Sequence, residues 1–370
     1  MKRILFVIHD LGHGGAEKVL VNLVNNLDRT KFNISVMALF GGGVNERFLK
    51  KDINLIICHK KTIRGNSRIM KLFSPELLFK HYIKEEYDII VSYLEGPSAR
   101  IVSGCNNPNT KLVSWIHCKM DTEKSISNGY RSFAEAKKCY ERFDNTVCVS
   151  RWVRDYFVKT LDFSGKIQVL YNTIETQDIM SKSEEEIDDC LFDKNTINIC
   201  SVGKIDVNKG YDRLARIHKK LLDSNIKNKV YILGVGAEKS KIEEYLKENK
   251  LQNSFIFLGY KTNPYKYVKN CDLYVCSSFS EGFSTSVTEA LIVGTPVVTT
   301  LCSGMYELLG ENGEYGIVTE NDEDALYEGI RHLTDHPDLL DHYKNKALER
   351  GKEFSTEKTV KAVENMLLNL

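Results

Sequence analysis

The stretch from Leu273 to Thr300 narrows the possible folds of this chain more than any other. It reads LYVCSSFSEGFSTSVTEALIVGTPVVTT. A β-rich run, Leu273 to Cys276, gives way to a polar loop carrying Glu281, Gly282 and Phe283. A helical pattern follows, with Val287, Ala290, Leu291 and Ile292 on or near one face, and Gly294 stops it. Pro296 opens a second β-branched run, Val297 to Thr300. Strand, loop, helix and strand in this order form the unit of an open parallel sheet. In such sheets ligands sit beyond the carboxyl ends of the strands, where this loop lies.

Two carboxylates frame the loop, Glu281 and, eight residues on, Glu289. Backbone amides from Gly282 to Ser284 would point outward at the helix start, where orphan donors and the helix dipole favour an anion. Ser284, Thr285 and Ser286 add hydroxyl donors. The loop carboxylate can meet sugar hydroxyls, the helix carboxylate can accept from a ribose diol, and the donors between them can hold a diphosphate. A single glutamate in either place is most simply a solvated charge. The pair, with Gly-Phe between and a Gly-x-Pro stop behind, is a more specific pattern. Glu281-Gly282-Phe283-Ser284, then Glu289-Ala290 and Gly294-Thr295-Pro296, resembles the signature of the retaining glycosyltransferases of family 4, which have the GT-B fold.

At 370 residues the chain suits two domains rather than one core. Hydrophobic content of 42% and charged content of 27% are ordinary for a globular protein in water. No apolar run approaches the ~18 residues of a membrane helix. Met1-Lys2-Arg3 followed by Ile4 to Ile8 reads as a first buried strand rather than a signal peptide. The ten cysteines are scattered without a Cys-x-x-Cys pair, as core residues in a reducing compartment would be. A zinc site is not expected. The net charge of +1 hides a division: 27 Lys+Arg against 18 Asp+Glu through Gln177, and 24 against 32 beyond it. A basic first half suggests an anionic partner, although the two halves could also simply attract each other.

Taken in order, the strand Arg3 to His9 runs into Asp10-Leu11-Gly12-His13-Gly14-Gly15-Ala16-Glu17, ahead of a helix through Val19, Leu20, Leu23, Val24 and Leu27. The spacing is neither Gly-x-Gly-x-x-Gly nor a Walker loop, and the glycines alone could be only a tight turn. The resemblance makes Gly15 an amide donor to the donor diphosphate. Lys60, Lys61, Arg64, Arg68 and Lys71 follow the third strand with no acid before Glu76, and Ile63, Ile69, Met70, Leu72 and Phe73 interleave. That stretch, 60–71, reads as a solvated loop or as a surface for anionic lipid or an acceptor phosphate. His117 follows the strand Lys111 to Ile116. A lone His is most often structural; the resemblance makes it a contact to donor or acceptor, bonding a sugar hydroxyl or stabilising charge.

The polar, acidic segment Gln177 to Asp193 places the domain boundary. A second strand series then begins and runs into Gly203-Lys204-Ile205-Asp206-Val207-Asn208-Lys209-Gly210-Tyr211. Lys204 and Lys209 at a strand's carboxyl end can neutralise a departing diphosphate. Lys204 stands where the family usually has Arg, a point charge in place of a fork. Gly259-Tyr260 resembles the family's base pocket, with backbone near Tyr260 and Lys261 holding the nucleobase. Asp322-Glu323-Asp324 is formally Asp-x-Asp, but its place before Ala325, Leu326 and Ile330 reads as acids at a helix N-terminus.

The expected architecture is α/β, GT-B, two Rossmann-like parallel-sheet domains facing a central cleft. Residues 1–177 form the acceptor-binding domain and 178–352 the nucleotide-sugar domain, with a helix over 353–370 crossing back onto the first. The expected activity moves a sugar, with retention, from a nucleotide-sugar donor, most simply a UDP-sugar, to a hydroxyl of a glycan, lipid-linked or polymer acceptor. Glu281, Lys209 and His117 would be catalytic. Gly15, Lys204, Lys209, Tyr260, Gly282, Phe283, Ser284, Thr285 and Glu289 would bind the donor. No metal, other cofactor or nucleic acid is expected. The location is cytoplasmic, at the inner face of the cell membrane if residues 60–71 touch it. The rivals are a nucleotide-sugar epimerase on the same fold and a non-catalytic GT-B partner subunit.

Overall fold

A computed structural model of the chain describes every residue except His13, Thr62, Ile63, Arg64, Leu191 and Ser303, and the side chains of Asn66 and Ser67. The His13 of the glycine loop and the Ile63 and Arg64 of the basic stretch therefore lie outside the described residues. The chain divides into two compact units, Met1–Ile174 with Thr356–Leu370, and Glu175–Ser355.

The first unit contains β1 (Lys2–Ile8), β2 (Phe32–Phe40), β3 (Asn54–His59), β4 (Ile89–Ser92), β5 (Lys111–Ile116), β6 (Asn145–Cys148) and β7 (Ile167–Val169). They make one sheet in the order β3-β2-β1-β4-β5-β6-β7, and every pairing is parallel. β1 is solidly apolar because both faces are covered: Ile4 to Ile8 are fully buried. The helix Gly15–Asn26 returns the chain from β1 to β2, burying Val19, Leu20, Leu23 and Val24 at the spacing that a core-facing stripe requires.

The final helix, Thr356–Leu368, belongs to this first unit. Its buried Val360, Val363 and Leu367 face inward. Glu364 accepts from the Asp28 amide at 2.8 Å and from Lys31 at 2.9 Å. Lys2 caps the helix end by donating to the Leu367 and Leu368 carbonyls at 3.0 and 3.2 Å.

The second unit contains β8 (Ile197–Val202), β9 (Asn228–Leu233), β10 (Phe255–Gly259), β11 (Leu273–Cys276), β12 (Val297–Thr300) and β13 (Ile317–Thr319). This sheet too is wholly parallel, in the order β10-β9-β8-β11-β12-β13. The helix Tyr211–Asp223 buries Leu214, Ile217 and Leu221 against β8, β9 and the helix Glu323–Asp335, in one core with Val230, Ile232 and Leu273. The helix Thr285–Val293 differs from the one-faced stripe the sequence suggests. Every residue from Val287 to Val293 is buried, Glu289 included. A helix apolar all round is covered all round, here by the helices Thr176–Ser183, Tyr265–Lys269 and Pro337–Gly351.

The acidic segment after Gln177 is not an open linker. It begins inside the helix Thr176–Ser183, and its carboxylates are taken up by lysines of the second unit. Lys261 pairs with Asp189, Lys269 with Glu184, and Lys266 lies 3.8 Å from Asp188. Part of the negative charge of the second half is thus spent locally.

Candidate functional site

In each sheet the strand order reverses once, between β1 and β4 in the first unit and between β8 and β11 in the second. Chains leaving the two central strands there turn opposite ways, and the crevice left between them is where open α/β sheets take ligands. In the second unit the loop after β8 carries Lys209 and the loop after β11 carries Glu281. Sequence separates them by 72 positions, and the fold joins them: Lys209 Nζ lies 2.5 Å from Glu281 Oε1. Ser278 Oγ donates to the same carboxylate oxygen at 2.7 Å. Burial works against the Lys209 ammonium, but the Glu281 charge and hydrogen bond more than offset it, so its pKa is held above the ordinary lysine value. Lys209 is therefore a fixed cation.

The Glu281 loop is clamped from the Lys209 side. The Ser277 hydroxyl donates to the Lys209 carbonyl at 2.8 Å. Asn208 Nδ2 donates to the Ser280 carbonyl at 2.8 Å, and the Phe279 amide donates to the Asn208 carbonyl at 2.7 Å. Beneath, the buried Arg213 guanidinium donates to the Ser277 carbonyl at 2.8 and 2.5 Å and to the Ser278 carbonyl at 2.8 Å, while stacking under Phe279 at 4.0 Å. Thr300 Oγ1 reaches the Ser278 carbonyl at 2.6 Å. Such closeness needs Gly210, whose φ is +63° and where a Cβ would stand 2.2 Å from the Ser277 oxygen. The Tyr211 hydroxyl lies buried below, with no hydrogen-bond partner among the described residues.

Ser284 caps the helix Thr285–Val293, its hydroxyl accepting from the Val287 amide at 3.4 Å. The Thr285 and Ser286 amides precede the first intrahelical bond. The Phe283 side chain is not at the ligand face. It is buried, edge-on to Phe354 with centroids 6.0 Å apart, so that a donor could meet only its backbone. Glu289 is 8% exposed, with the Tyr265 hydroxyl 3.4 Å from Oε1. Lys204 is exposed and, among the described residues, makes no ion pair. Tyr260, 60% exposed, follows β10. Asp322 accepts from the Asp324 and Ala325 amides at 2.8 and 3.1 Å, as a helix cap does.

The reversal in the first unit is built differently. Gly15 is the first residue of its helix, and Gly14 before it has no side chain to cap the amides. Asp10 Oδ1 accepts from the Gly12 amide at 2.8 Å, and Oδ2 lies 2.7 Å from His9 Nδ1. Burial raises the Glu17 pKa, with the Asp10 and Glu95 charges adding to it. Glu95, after β4, accepts from the His117 amide at 3.2 Å and the Cys118 thiol at 2.6 Å. The His117 ring packs on Tyr93, centroids 4.8 Å apart, and its Nε2 is buried without a partner among the described residues. Burial pushes its pKa down to about 3, against the pull of a hydrogen bond to the Tyr93 backbone. His117 is therefore neutral near pH 7. It can accept a bond from a hydroxyl, and the charge-stabilising role the sequence left open does not suit it.

Sequence reasoning missed Arg213, Asn208, Ser278 and Glu95. A signal existed for the first two, which flank Lys209 within six residues. What hides them is that each acts on backbone 64 to 72 positions away.

Two wholly parallel α/β sheets of this kind, each with charged loops at its strand-order reversal, make the fold GT-B. Residues 13–178 match glycosyltransferase family 4, and residues 182–350 match the glycosyl transferases group 1. The two matches, one to each half, support a glycosyltransferase of the family 4 type. It is 28% identical, over the whole length of both chains, to the N-acetylgalactosamine-N,N'-diacetylbacillosaminyl-diphospho-undecaprenol 4-alpha-N-acetylgalactosaminyltransferase of Campylobacter jejuni. Among solved structures it resembles Anabaena HepE in complex with UDP, with TM-score 0.76 and 16% identity over all of both chains. It also resembles the sucrose-phosphate synthase of Thermosynechococcus elongatus, with TM-score 0.80 and 16% identity over 100% of this chain and 99% of that one. No helix among the described residues is long and apolar enough to cross a membrane.

Proposed function

We propose that this glycosyltransferase moves a sugar, with retention of anomeric configuration, from a UDP-sugar to a hydroxyl of an anionic, lipid-linked glycan in cell-surface glycoconjugate synthesis, at the inner face of the cell membrane. The observation that carries the donor side is the Lys209–Glu281 pair, joined from the loops after β8 and β11 where the strand order reverses. Fixed charge is what a departing diphosphate needs. As the bond from the anomeric carbon to the β-phosphate oxygen breaks, negative charge grows on the phosphate, and donors already in place stabilise it without reorganising. Lys209, together with Lys204, meets the phosphates; Glu281, with its second oxygen, meets sugar hydroxyls; Glu289 accepts from the ribose diol. Backbone around Tyr260 holds the base, and Gly282 and Phe283 contribute main-chain groups.

Glu281 is not the nucleophile in this reading, because Lys209 and Ser278 hold its carboxylate. The acceptor oxygen attacks the anomeric carbon, and its proton passes to the leaving phosphate oxygen. Gly15 is assigned a hydrogen bond donated by its backbone N–H to the donor diphosphate, and His117 a hydrogen bond accepted from a sugar hydroxyl. The UDP bound to HepE and the lipid diphosphate in the name of the Campylobacter relative support the choice of donor and acceptor.

The test is a screen of UDP-sugars for UDP release, with and without polyprenyl-diphosphate glycan acceptors, and the product configuration read by NMR. Release with an α-linked product from an α-donor is expected. An isomerised sugar nucleotide formed without acceptor would make the protein an epimerase instead, and an inverted product would end the retaining reading.

A further inference from the structure

Four of the fifteen exposed large apolar residues found among the described residues fall within nine positions of one another: Ile69 at 53%, Leu72 at 77%, Phe73 at 48% and Leu77 at 57% exposed. They sit where the short helix Asn66–Met70 passes into the helix Pro75–Tyr82. The Leu72 amide donates to the Ile69 carbonyl at 3.0 Å and the Phe73 amide to the Met70 carbonyl at 3.2 Å, so the helical turn continues. Ile69, Leu72 and Phe73 are then at i, i+3 and i+4 on one side, while Met70 is buried on the other.

This turn is held, not loose. Its four successive carbonyls are all taken by two arginines from elsewhere in the first unit. Arg100 Nη1 donates to Met70 at 2.8 Å and Nη2 to Phe73 at 2.6 Å. Arg131 Nε donates to Lys71 at 2.6 Å and Nη2 to Leu72 at 3.1 Å. Arg100 is 1% exposed and is itself locked by Glu135 at 2.9 Å. With the backbone groups satisfied from beneath, the apolar side chains are presented outward at little further ordering cost.

The surroundings are cationic. Residues 60–84 contain seven Lys and Arg and one acid, Glu76. Lys60, Lys61, Arg68, Lys80 and Lys84 are exposed. An apolar ridge with a basic rim matches an anionic bilayer, whose headgroups take the cations and whose acyl boundary takes the ridge. A second copy of this chain would bring the same positive rim against itself.

We infer that the ridge Ile69–Leu77 inserts into the surface of an anionic membrane, with Lys60, Lys61, Arg68, Lys80 and Lys84 serving as its electrostatic rim. The inference deepens the proposed lipid-borne acceptor, but its test uses neither donor nor acceptor, so the two can fail separately. The full chain is sedimented with vesicles of phosphatidylcholine alone or with phosphatidylglycerol, and its mass in solution is followed by sedimentation velocity. The wild type should partition onto the phosphatidylglycerol vesicles, less so as salt is raised, and little onto phosphatidylcholine. The double variant L72D/F73D should lose binding by roughly tenfold or more, and K60Q/K61Q should lose several-fold with the salt dependence flattened. Both variants should keep the wild-type melting curve and the wild-type affinity for UDP. Equal binding by L72D/F73D, or no binding by the wild type, overturns the inference. So does a wild-type dimer that L72D/F73D dissolves without any change in vesicle binding, which would make the ridge a self-association face.

Discussion

The reversal points of the two sheets share a topology and differ in chemistry. At β8/β11 an ion pair stands on a loop clamped by Asn208, Arg213 and Thr300. At β1/β4 the charged groups are the carboxylates of Asp10, Glu17 and Glu95, and beside them stands His117, kept neutral by burial. A fixed cation suits a diphosphate. Carboxylates and a neutral imidazole suit the hydroxyls of a sugar. Residues 60–84 hold seven of the 27 Lys and Arg of the first half of the chain against one acid, Glu76.

The largest expected effect breaks the comparison outright. Lys209→Ala removes the fixed cation and leaves Glu281 unpaired where its side chain is only 13% exposed. Turnover should fall by about 10²–10³-fold. Glu281→Ala should fall as far, and the double variant scarcely further, because the residues act as one unit. Steady-state rates of the three variants, with melting curves to show that each is folded, decide this. Near-normal turnover in the folded single variants would discredit the site.

Arg213→Leu comes next. It strips the Ser277 and Ser278 carbonyls of a buried donor, which should cost about 2–4 kcal/mol of stability. Arg213→Lys keeps the charge but not the fork, and should cost less while still weakening UDP binding. Denaturant unfolding with calorimetric UDP titration separates the two. If Arg213→Lys binds UDP as the wild type does, the clamp does not position the loop.

Glu289→Ala tests the ribose contact, with an expected loss of about tenfold in UDP affinity, close to 1.4 kcal/mol. Because Glu289 is nearly buried, Glu289→Gln serves as a control for packing. A UDP isotherm unchanged in both would remove the ribose role.

Much of the second unit's site is legible in the sequence because it is local. Glu281, Ser284, Glu289 and Gly294 belong to one strand-loop-helix, and short-range rules place them. The pairing of Lys209 with Glu281 is not local. It follows from β8 and β11 being neighbours, which no periodicity in either segment states. The place of the Phe283 ring is non-local for the same reason. It is buried edge-on to Phe354, 71 positions away. The acidic run at 184–189 looks like a solvated linker until the lysines at 261, 266 and 269 are placed beside it. The ridge at 69–77 is visible as apolar residues among cations, but only the Arg100 and Arg131 bonds show which way it faces.

The smallest effect sharpens the comparison at the first unit. His117 has an ordinary value of 6.5 unfolded and about 3 folded. Between those values the unfolded chain binds a proton that the folded chain does not, so the unfolded state gains as pH falls. The contribution of His117 is therefore intact above pH 6.5 and drains away below it, by at most about 1.4 kcal/mol per pH unit. His117→Asn, which has no titrating ring, should unfold with a shallower loss between pH 6.5 and 5, a difference on the order of 1 kcal/mol in denaturant midpoints converted to free energy. Parallel pH profiles for wild type and variant would mean that folding leaves the proton affinity of the imidazole unchanged, and that burial does not hold His117 neutral. UDP affinity at pH 7 should be unmoved by the change at His117 and strongly weakened by Lys209→Ala, which is the division of labour between neutral and charged reversal points expressed as two isotherms.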